Sequence, residues 1–322
     1  MSAPSVEAVA RDVRAAAARL QGAVLHTPLV ACPWLSRELD ADVRLKLENV
    51  QTTGSFKLRG ASHALRCLTP EQRARGVVTA SSGNHGLGVA CAAKALGVDA
   101  RVFVPNATAD DKVRAIAAYG AVVERHGDDC VHTEAHARRV ARDCGQSYIS
   151  PYNDAAVLAG QGTVALELLQ DWPDVELVYV ALGGGGLIGG MAAYARVASP
   201  NVQFVACSPL ASPAMAECVR RGEIFDVPCG ETWSDSTAGG VEPGAITFEL
   251  CRELVDTFVD VDEPAIEGAM RDMLARQHLL VEGAAGVAVA GCRAHEQVRG
   301  RRAAIVVCGA NLPFDRLRKL LG

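Results

Sequence analysis

The sequence predicts an α/β protein with open, twisted, mostly parallel sheets flanked by helices. Short runs rich in β-branched residues alternate with longer alanine-rich segments of helical periodicity. Helices of this length between strands supply the crossover connections that parallel pairing requires. At 322 residues the chain is also long enough to form two lobes, each with a core.

The predicted elements alternate along the chain. Strands are predicted at 43–47, 77–80, 100–104, 122–124, 177–181, 203–207 and 304–308. Helices are predicted at 6–20, 85–96, 111–119, 130–144, 161–169 and 263–276. The uncharged stretch 177–195 contains six glycines, which favours a strand, a loop and a helix start over a membrane helix.

Composition and charge narrow the class of protein. Hydrophobic residues make up 49% and charged residues 21%, as in ordinary globular proteins. The formal net charge is −5 and the basic residues are scattered, so no nucleic-acid partner is expected. The eleven cysteines are dispersed without a CxxC pair, which predicts reduced thiols, and no signal peptide is seen; both favour the cytoplasm.

The heptapeptide GSFKLRG at 54–60 isolates one lysine, Lys57, between small and aromatic neighbours. A lysine attacks a carbonyl only when it is unprotonated, and burial favours that form. Lys57 is therefore a candidate Schiff-base nucleophile that would carry pyridoxal phosphate. The alternative is a lysine that simply follows a β-turn.

Four consecutive glycines at 183–186 follow an apolar strand and precede a predicted helix, so their N–H groups can converge on a phosphate. Gly184, Gly186 and Gly189 also spell GxGxxG, which raises the rival hypothesis of a dinucleotide cofactor. The acid expected at the end of the next strand is missing, since that strand ends at Cys207 and Ser208. A lone monophosphate fits better; close helix packing is the remaining alternative.

Further polar residues lie where strands lead into helices. The turn SSGNH at 81–85 offers hydroxyls, an amide and backbone donors for a substrate carboxylate, or else a helix N-cap through Ser82 or Asn84. His85 is expected to be a structural hydrogen-bonding residue. Cys308 ends the last strand, and Glu282 enters a turn of small residues; a buried thiol and a helix-start charge are their simpler explanations.

Together these motifs resemble the threonine/serine dehydratase and serine racemase branch of the fold-type II pyridoxal-phosphate enzymes. The motifs SFKLRGA, SGNH, GQGT, GGGG and CGAN occur in the family's order, and the resemblance extends from about residue 27 to residue 311. It implies a two-lobed fold like that of the tryptophan synthase β subunit. Residues 1–66 and 148–322 would form a large cofactor-binding domain, and 67–147 a small substrate-binding domain.

The resemblance also implies roles for individual residues. Lys57 would form the Schiff base with pyridoxal 5'-phosphate, and Ser82 would exchange a proton on the opposite face in a racemase. The cofactor would be bound by Phe56, Lys57, Asn84, Gly183, Gly184, Gly185, Gly186, Leu187, Gly240 and Cys308. The substrate would be bound by Ser82, Gly83, Asn84, His85 and Asn153.

Two departures from the racemases bear on the activity. Cys308 stands where racemases usually have a serine facing the ring nitrogen; this leaves that nitrogen neutral and favours prompt loss of a β-substituent. Residues 207–213 lack the carboxylates of the racemase cation site, so no metal is expected. The chain also ends soon after residue 311, so no feedback by an end-product amino acid is expected.

The sequence therefore predicts a pyridoxal-phosphate-dependent ammonia-lyase that converts a β-hydroxy-α-amino acid to a 2-oxo acid and ammonia. The alternatives are a racemase that uses Lys57 and Ser82, an NAD-binding oxidoreductase, and a phosphate-binding module without catalysis. The substrate stays open among serine, threonine, 3-hydroxyaspartate, a phenylserine-like compound and a derivative of a compatible solute. Asn153, Ser208 and residues 237–244 are candidate wall residues, and family analogy predicts a homodimer.

Overall fold

The computed structural model of the chain describes residues 4–128 and 130–322, apart from the side chain of Cys130. The strands are β1 (Leu29–Ala31), β2 (Asp42–Leu47), β3 (Val77–Ala80), β4 (Ala100–Val104), β5 (Val122–Arg125), β6 (Ser147–Tyr148), β7 (Leu177–Ala181), β8 (Gln203–Pro209), β9 (Thr257–Val261) and β10 (Arg302–Val307). The first helices are α1 (Val6–Leu20), α2 (Pro33–Leu39), α3 (Lys57–Cys67), α4 (Pro70–Arg75), α5 (Asn84–Leu96), α6 (Asp110–Ala117) and α7 (Cys130–Asp143). They are followed by α8 (Ala155–Asp171), α9 (Gly186–Ala198), α10 (Ala214–Arg221), α11 (Ile246–Leu254), α12 (Glu263–Gln277), α13 (Gly283–Ala294) and α14 (Phe314–Leu321).

The strands form two sheets. The large sheet has the order β1-β2-β10-β7-β8-β9, and every neighbouring pair is parallel except β1 with β2. The small sheet has the order β5-β4-β3-β6 and is parallel throughout. The α/β prediction is confirmed, because helices connect the parallel strands as crossovers. Parallel sheets of this kind bind ligands beyond the carboxyl ends of their strands.

The differences from the predicted elements have local causes. Strands β1, β6 and β9 were missed because they are short or half-exposed and carry no clear apolar run. Helix α8 begins six residues earlier than predicted. Its start is set by Asp154, whose carboxylate accepts a hydrogen bond from the N–H of Val157 at 2.9 Å.

Helix α8 lies at the centre of the helical layer and packs against α1, α3 and α9. Glycines bring these helices together backbone to backbone. A Cβ atom on Gly160 would lie 2.7 Å from the carbonyl oxygen of Arg59, and one on Gly190 would lie 2.4 Å from that of Leu158. The GQGT motif therefore fixes α3, the helix that carries Lys57, against the core of the large sheet.

A buried ion network anchors α3 beneath this contact. The guanidinium of Arg59 donates to Glu48 Oε2 at 2.8 Å and to Glu167 Oε1 at 2.6 Å, and Arg59 is fully buried. Lys46 Nζ lies 2.8 Å from Glu167 Oε2. Because a guanidinium presents its donors in a rigid plane, two carboxylates can hold Arg59, and with it α3, in one orientation.

The cysteines whose side chains the structure describes are all free thiols, as their dispersed spacing predicted. Six of them are buried, namely Cys32, Cys207, Cys218, Cys251, Cys292 and Cys308. Within residues 4–128 and 130–322, no helix combines the length and apolar character needed to cross a membrane.

Candidate active site

Backbone pairing between the lysine motif and the end of β10 positions Lys57. The N–H of Phe56 donates to the carbonyl of Cys308 at 3.1 Å, and the N–H of Ala310 donates to the carbonyl of Gly54 at 2.9 Å. Lys57 is the first residue of α3 and follows this short pairing directly. The central strand of the large sheet thus places Cys308 and Lys57 in the same cavity.

Lys57 is half-buried, and its amine donates a hydrogen bond to the carbonyl of Pro151 at 2.9 Å. Its Nζ atom lies 5.3 Å from the centre of the Phe56 ring. The dense surroundings of the amine lower the pKa of Lys57 to about 8, because burial disfavours the ammonium form. At neutral pH a useful fraction of the amine is therefore unprotonated, as the nucleophile or base role requires.

The glycine loop after β7 forms a cradle at the start of α9. Gly185, the N-cap of α9, has φ of 80°, a left-handed conformation that favours glycine. A Cβ atom on Gly184 would lie 2.4 Å from the ring of Tyr152, so a side chain there would collide with this ring, which lines the same cavity. The first N–H groups of a helix have no intrahelical partner and attract anions. The loop therefore fits the phosphate of a small cofactor.

Cys308 is 3% exposed and lines the same cavity. Burial, together with the nearby carboxylate of Glu282, raises its pKa well above the usual range of a thiol. The group is therefore a neutral thiol at working pH, able to make a weak hydrogen bond. A neutral partner of this kind fits a ring nitrogen that does not need to carry a proton.

Asn84 belongs to a buried hydrogen-bond network. Its Nδ2 donates to both carboxylate oxygens of Glu282 at 2.9 Å, and its Oδ1 accepts from Asn311 Nδ2 at 2.6 Å. Glu282 Oε1 also accepts from Ser236 Oγ at 3.0 Å, and burial raises the pKa of this carboxyl. The network fixes the amide at the wall of the cavity that Lys57 and Cys308 also line.

The start of α5 differs from the helix cap expected there. Gly83 is the N-cap, and neither Ser82 nor Asn84 provides a capping side chain. The cap prediction is therefore wrong, since Asn84 is already the first helical residue and uses its amide on Glu282. The uncapped N–H groups at this helix start suit a substrate carboxylate.

His85 is buried and structural, as its sequence context predicted. Its Nε2 lies 3.0 Å from the carbonyl oxygen of Ile149, to which it donates. Burial and the neighbouring Lys57 lower the pKa of His85 to about 3, so the ring is neutral and does not titrate near pH 7. The ring ties α5 to the segment that precedes α8.

The structure brings most of the predicted site residues together. A cavity of about 180 Å³ is lined by Phe56, Lys57, Gly83, Asn84, His85, Gly183, Gly184, Gly185, Gly186, Leu187 and Cys308. A second cavity of about 220 Å³ shares Lys57 with it and is lined by Ser82 and Gly240. Asn153 and Ser208 are not among the lining residues. Asn153 turns away, because its Oδ1 accepts from the N–H of Ile246 at 2.9 Å.

Sequence reasoning missed several wall residues. Tyr152 and Ser236 line both cavities, and Glu134 lines the second; Thr237, from the expected wall segment 237–244, lines both as well. Tyr152 lies against the glycine loop, and its hydroxyl accepts from the N–H of Glu242 at 2.9 Å. No local motif marks these residues, since they reach the site only through the packing of distant segments.

Comparison with known proteins identifies the family. The family described as pyridoxal-phosphate dependent enzyme matches residues 20–309. The L-threonine ammonia-lyase of Thermotoga maritima is 36% identical over 310 residues, which cover 96% of this chain and 77% of that protein. The chain belongs to the pyridoxal-phosphate dependent enzymes.

Two solved structures show how far the likeness extends. The processed form of threonine deaminase isoform 2 from Solanum lycopersicum superposes with a TM-score of 0.93 at 29% identity, covering 99% of this chain and 89% of that one. Maize serine racemase superposes with a TM-score of 0.90 at 31% identity and covers 97% of each chain. The fold is that of the fold-type II enzymes, and the cofactor is pyridoxal phosphate, not a dinucleotide.

The residues present fit this cofactor. The glycine cradle matches its phosphate, the amine of Lys57 matches its aldehyde, and the thiol of Cys308 matches its ring nitrogen. The amide of Asn84, which Glu282 and Asn311 hold in place, lines the same cavity and suits its phenolic oxygen.

Proposed function

We propose that this protein is an ammonia-lyase that converts a β-hydroxy-α-amino acid, such as L-serine or L-threonine, to a 2-oxo acid and ammonia. The observation that carries the proposal is the pairing in one cavity of a lysine whose pKa is lowered to about 8 with a thiol that burial keeps protonated. The relatives named for threonine deamination support the same conclusion.

Different residues of the chain remove the α-proton and bind the α-carboxylate. Lys57 is a catalytic residue, whose unprotonated amine removes the α-proton of the substrate. The N–H groups at the start of α5, with Ser82, bind the α-carboxylate. When bound, pyridoxal phosphate supplies an electron sink for the pair left by that proton. The neutral Cys308 leaves this sink weak, which favours immediate departure of the β-hydroxyl.

The test is a panel of β-hydroxy-α-amino acids assayed for ammonia and 2-oxo acid with the purified holoenzyme. L-Serine, L-threonine and a phenylserine-like compound cover small and large side chains. Equal amounts of ammonia and 2-oxo acid from at least one of them are expected. Absence of both products from every compound would refute the proposal.

A second candidate is racemisation, which the position of Ser82 favours. Ser82 and Lys57 line the same cavity, and maize serine racemase is a structural relative. A racemase needs a second proton-exchanging group opposite the lysine. Chiral analysis of residual substrate decides between elimination and racemisation. Accumulation of the D-enantiomer without 2-oxo acid would favour racemisation. Loss of the D-enantiomer in Ser82→Ala would assign the second proton exchange to Ser82.

We also propose a homodimer in the cytoplasm, with a large domain of residues 1–66 and 148–322 and a small domain of 67–147. The two sheets support this division, although β6 (Ser147–Tyr148) straddles the second boundary. The free thiols support a reducing compartment. Light scattering of the purified holoenzyme measures the oligomeric state, and a monomer mass would contradict the dimer.

A further inference from the structure

The second cavity next to Lys57 carries an unusual charge on its wall. It has a volume of about 220 Å³ and is lined by segments from both sheets, including Ser82, Tyr152 and Gly240. Among the described residues, the charged side chains that line it are Lys57 and Glu134. With Lys57 engaged by the cofactor, Glu134 is the remaining charged group on this wall.

Two hydrogen bonds hold one oxygen of Glu134. Its Oε1 accepts from Arg138 Nη2 at 2.8 Å and from the hydroxyl of Tyr148 at 3.2 Å. Its Oε2 accepts from no residue within 4–128 and 130–322. The carboxylate is therefore anchored through one oxygen, while the other is left as an acceptor.

The neighbouring cation offsets only part of the negative charge at this wall. Arg138 Nη2 also lies 2.8 Å from Glu242 Oε2, so one guanidinium is shared between two carboxylates. Arg138 is not a lining residue of the cavity. The cluster of Glu134, Arg138 and Glu242 thus has a formal charge of −1, and it presents the carboxylate side to the ligand.

We infer that Glu134 selects substrates by charge, accepting side chains that end in a hydrogen-bond donor and rejecting those that end in a carboxylate. The inference rests on the proposed function and specifies its substrate class. With the amine at Lys57 and the α-carboxylate at the start of α5, the side chain extends into the cavity that Glu134 lines. The net negative charge of the cluster repels a substrate carboxylate, and solvent screens it only in part because the side chain of Glu134 is 29% exposed, whereas a donor finds the unused Oε2.

The experiment compares two substrates of nearly the same shape. threo-3-Hydroxyaspartate ends in a carboxylate, and 3-hydroxyasparagine ends in a neutral amide donor. With wild-type holoenzyme, kcat/KM for the amide is expected to exceed that for the acid by about tenfold or more, a difference of about 1.4 kcal/mol. In Glu134→Gln the preference for the amide is expected to fall several-fold.

Matched variants separate the charge of Glu134 from its structural contacts. Glu134→Asp keeps the charge and should keep the preference. Glu242→Gln removes one negative charge from the cluster of Glu134, Arg138 and Glu242 without changing the cavity wall, and should lower the preference less than Glu134→Gln does. An unchanged preference in Glu134→Gln, with normal cofactor absorbance, would overturn the inference.

A binding measurement makes the test independent of elimination. L-Asparagine and L-aspartate lack the β-hydroxyl, so their affinities can be read from absorbance changes of the holoenzyme. The same preference for the amide, lost in Glu134→Gln, is expected. If no hydroxy-amino acid releases ammonia, the proposed function fails, whereas normal ammonia release without charge discrimination overturns the role of Glu134 alone.

Discussion

Both carboxylate oxygens of Glu282 lie 2.9 Å from Nδ2 of Asn84, which joins the start of α5 to the start of α13. The contact is buried, since Asn84 is 7% exposed and Glu282 is 3% exposed. It connects the helix that begins beside the small sheet with one that packs on the large sheet. A change at either residue therefore affects the orientation of the other.

Asn84→Asp is expected to make stability depend strongly on pH. Burial already raises the pKa of Glu282, and a second carboxylate beside it raises the pKa of the pair further, because the two cannot readily ionise together. The folded variant then binds more protons than the unfolded chain above about pH 4.5, so its stability falls as pH rises. Urea unfolding at pH 5 and pH 8 measures this effect. Asn84→Ala, which adds no charge, is the control. If the free energy of unfolding fell equally in both variants between pH 5 and pH 8, the prediction would be contradicted.

Lys57→Ala is expected to abolish both covalent attachment of the cofactor and turnover. Borohydride reduction of the wild-type holoenzyme should add the mass of the reduced cofactor to the peptide that contains Lys57. The variant should show no such increase. Lys94→Ala, at an exposed position on α5, serves as control and should keep the label. Persistent turnover by Lys57→Ala would remove the lysine from the chemistry.

The rate of cofactor loading should rise with pH about a midpoint near 8. Only the unprotonated amine reacts with the aldehyde, and burial lowers the pKa of Lys57 to about 8. The loading rate should therefore increase from pH 6 to pH 8 and level off above that. Stopped-flow absorbance after mixing apoprotein with pyridoxal phosphate gives the profile. A rate still climbing steeply at pH 10 would indicate an ordinary solvated lysine.

Gly184→Ala is expected to weaken cofactor binding by about tenfold or more, a loss of about 1.4 kcal/mol. The added Cβ atom would lie 2.4 Å from the ring of Tyr152, so either the ring or the cradle must move. Gly268→Ala, in helix α12 with open space around it, is the matched control. Equilibrium titration of both apoproteins measures the affinity. Equal affinities would show that the loop does not hold the phosphate.

Arg59→Met is expected to lower the free energy of unfolding by about 3–5 kcal/mol. The substitution leaves the carboxylates of Glu48 and Glu167 in the core without their guanidinium partner. Arg221→Met, which breaks an exposed ion pair with Glu223, should cost at most about 1 kcal/mol. Urea unfolding of both apoproteins gives the comparison. A similar small loss in both would mean that the buried network contributes little.

The sequence predicted the parallel sheets well because their buried strands are unbroken apolar runs. It also indicated Lys57 from its small and aromatic neighbours, and the glycine cradle and Cys308 from their positions at the ends of such runs. Tyr152 and Glu134 could not be predicted, because they reach the cavity through contacts between segments distant in sequence. Asn153 was expected at the site, but its amide oxygen binds the start of α11 instead. No neighbouring residue in the sequence indicates this orientation of the Asn153 side chain.

The absence of a side chain at Gly88 has a mechanical consequence. A Cβ atom there would lie 3.1 Å from the carbonyl carbon and oxygen of Lys57, so α5 presses directly on the peptide of the lysine. The same helix begins at the residues that we propose capture the substrate carboxylate. Any axial displacement of α5 on capture is therefore transmitted to Lys57 without an intervening side chain. Helix α5 thus constrains the backbone from which the reactive amine extends.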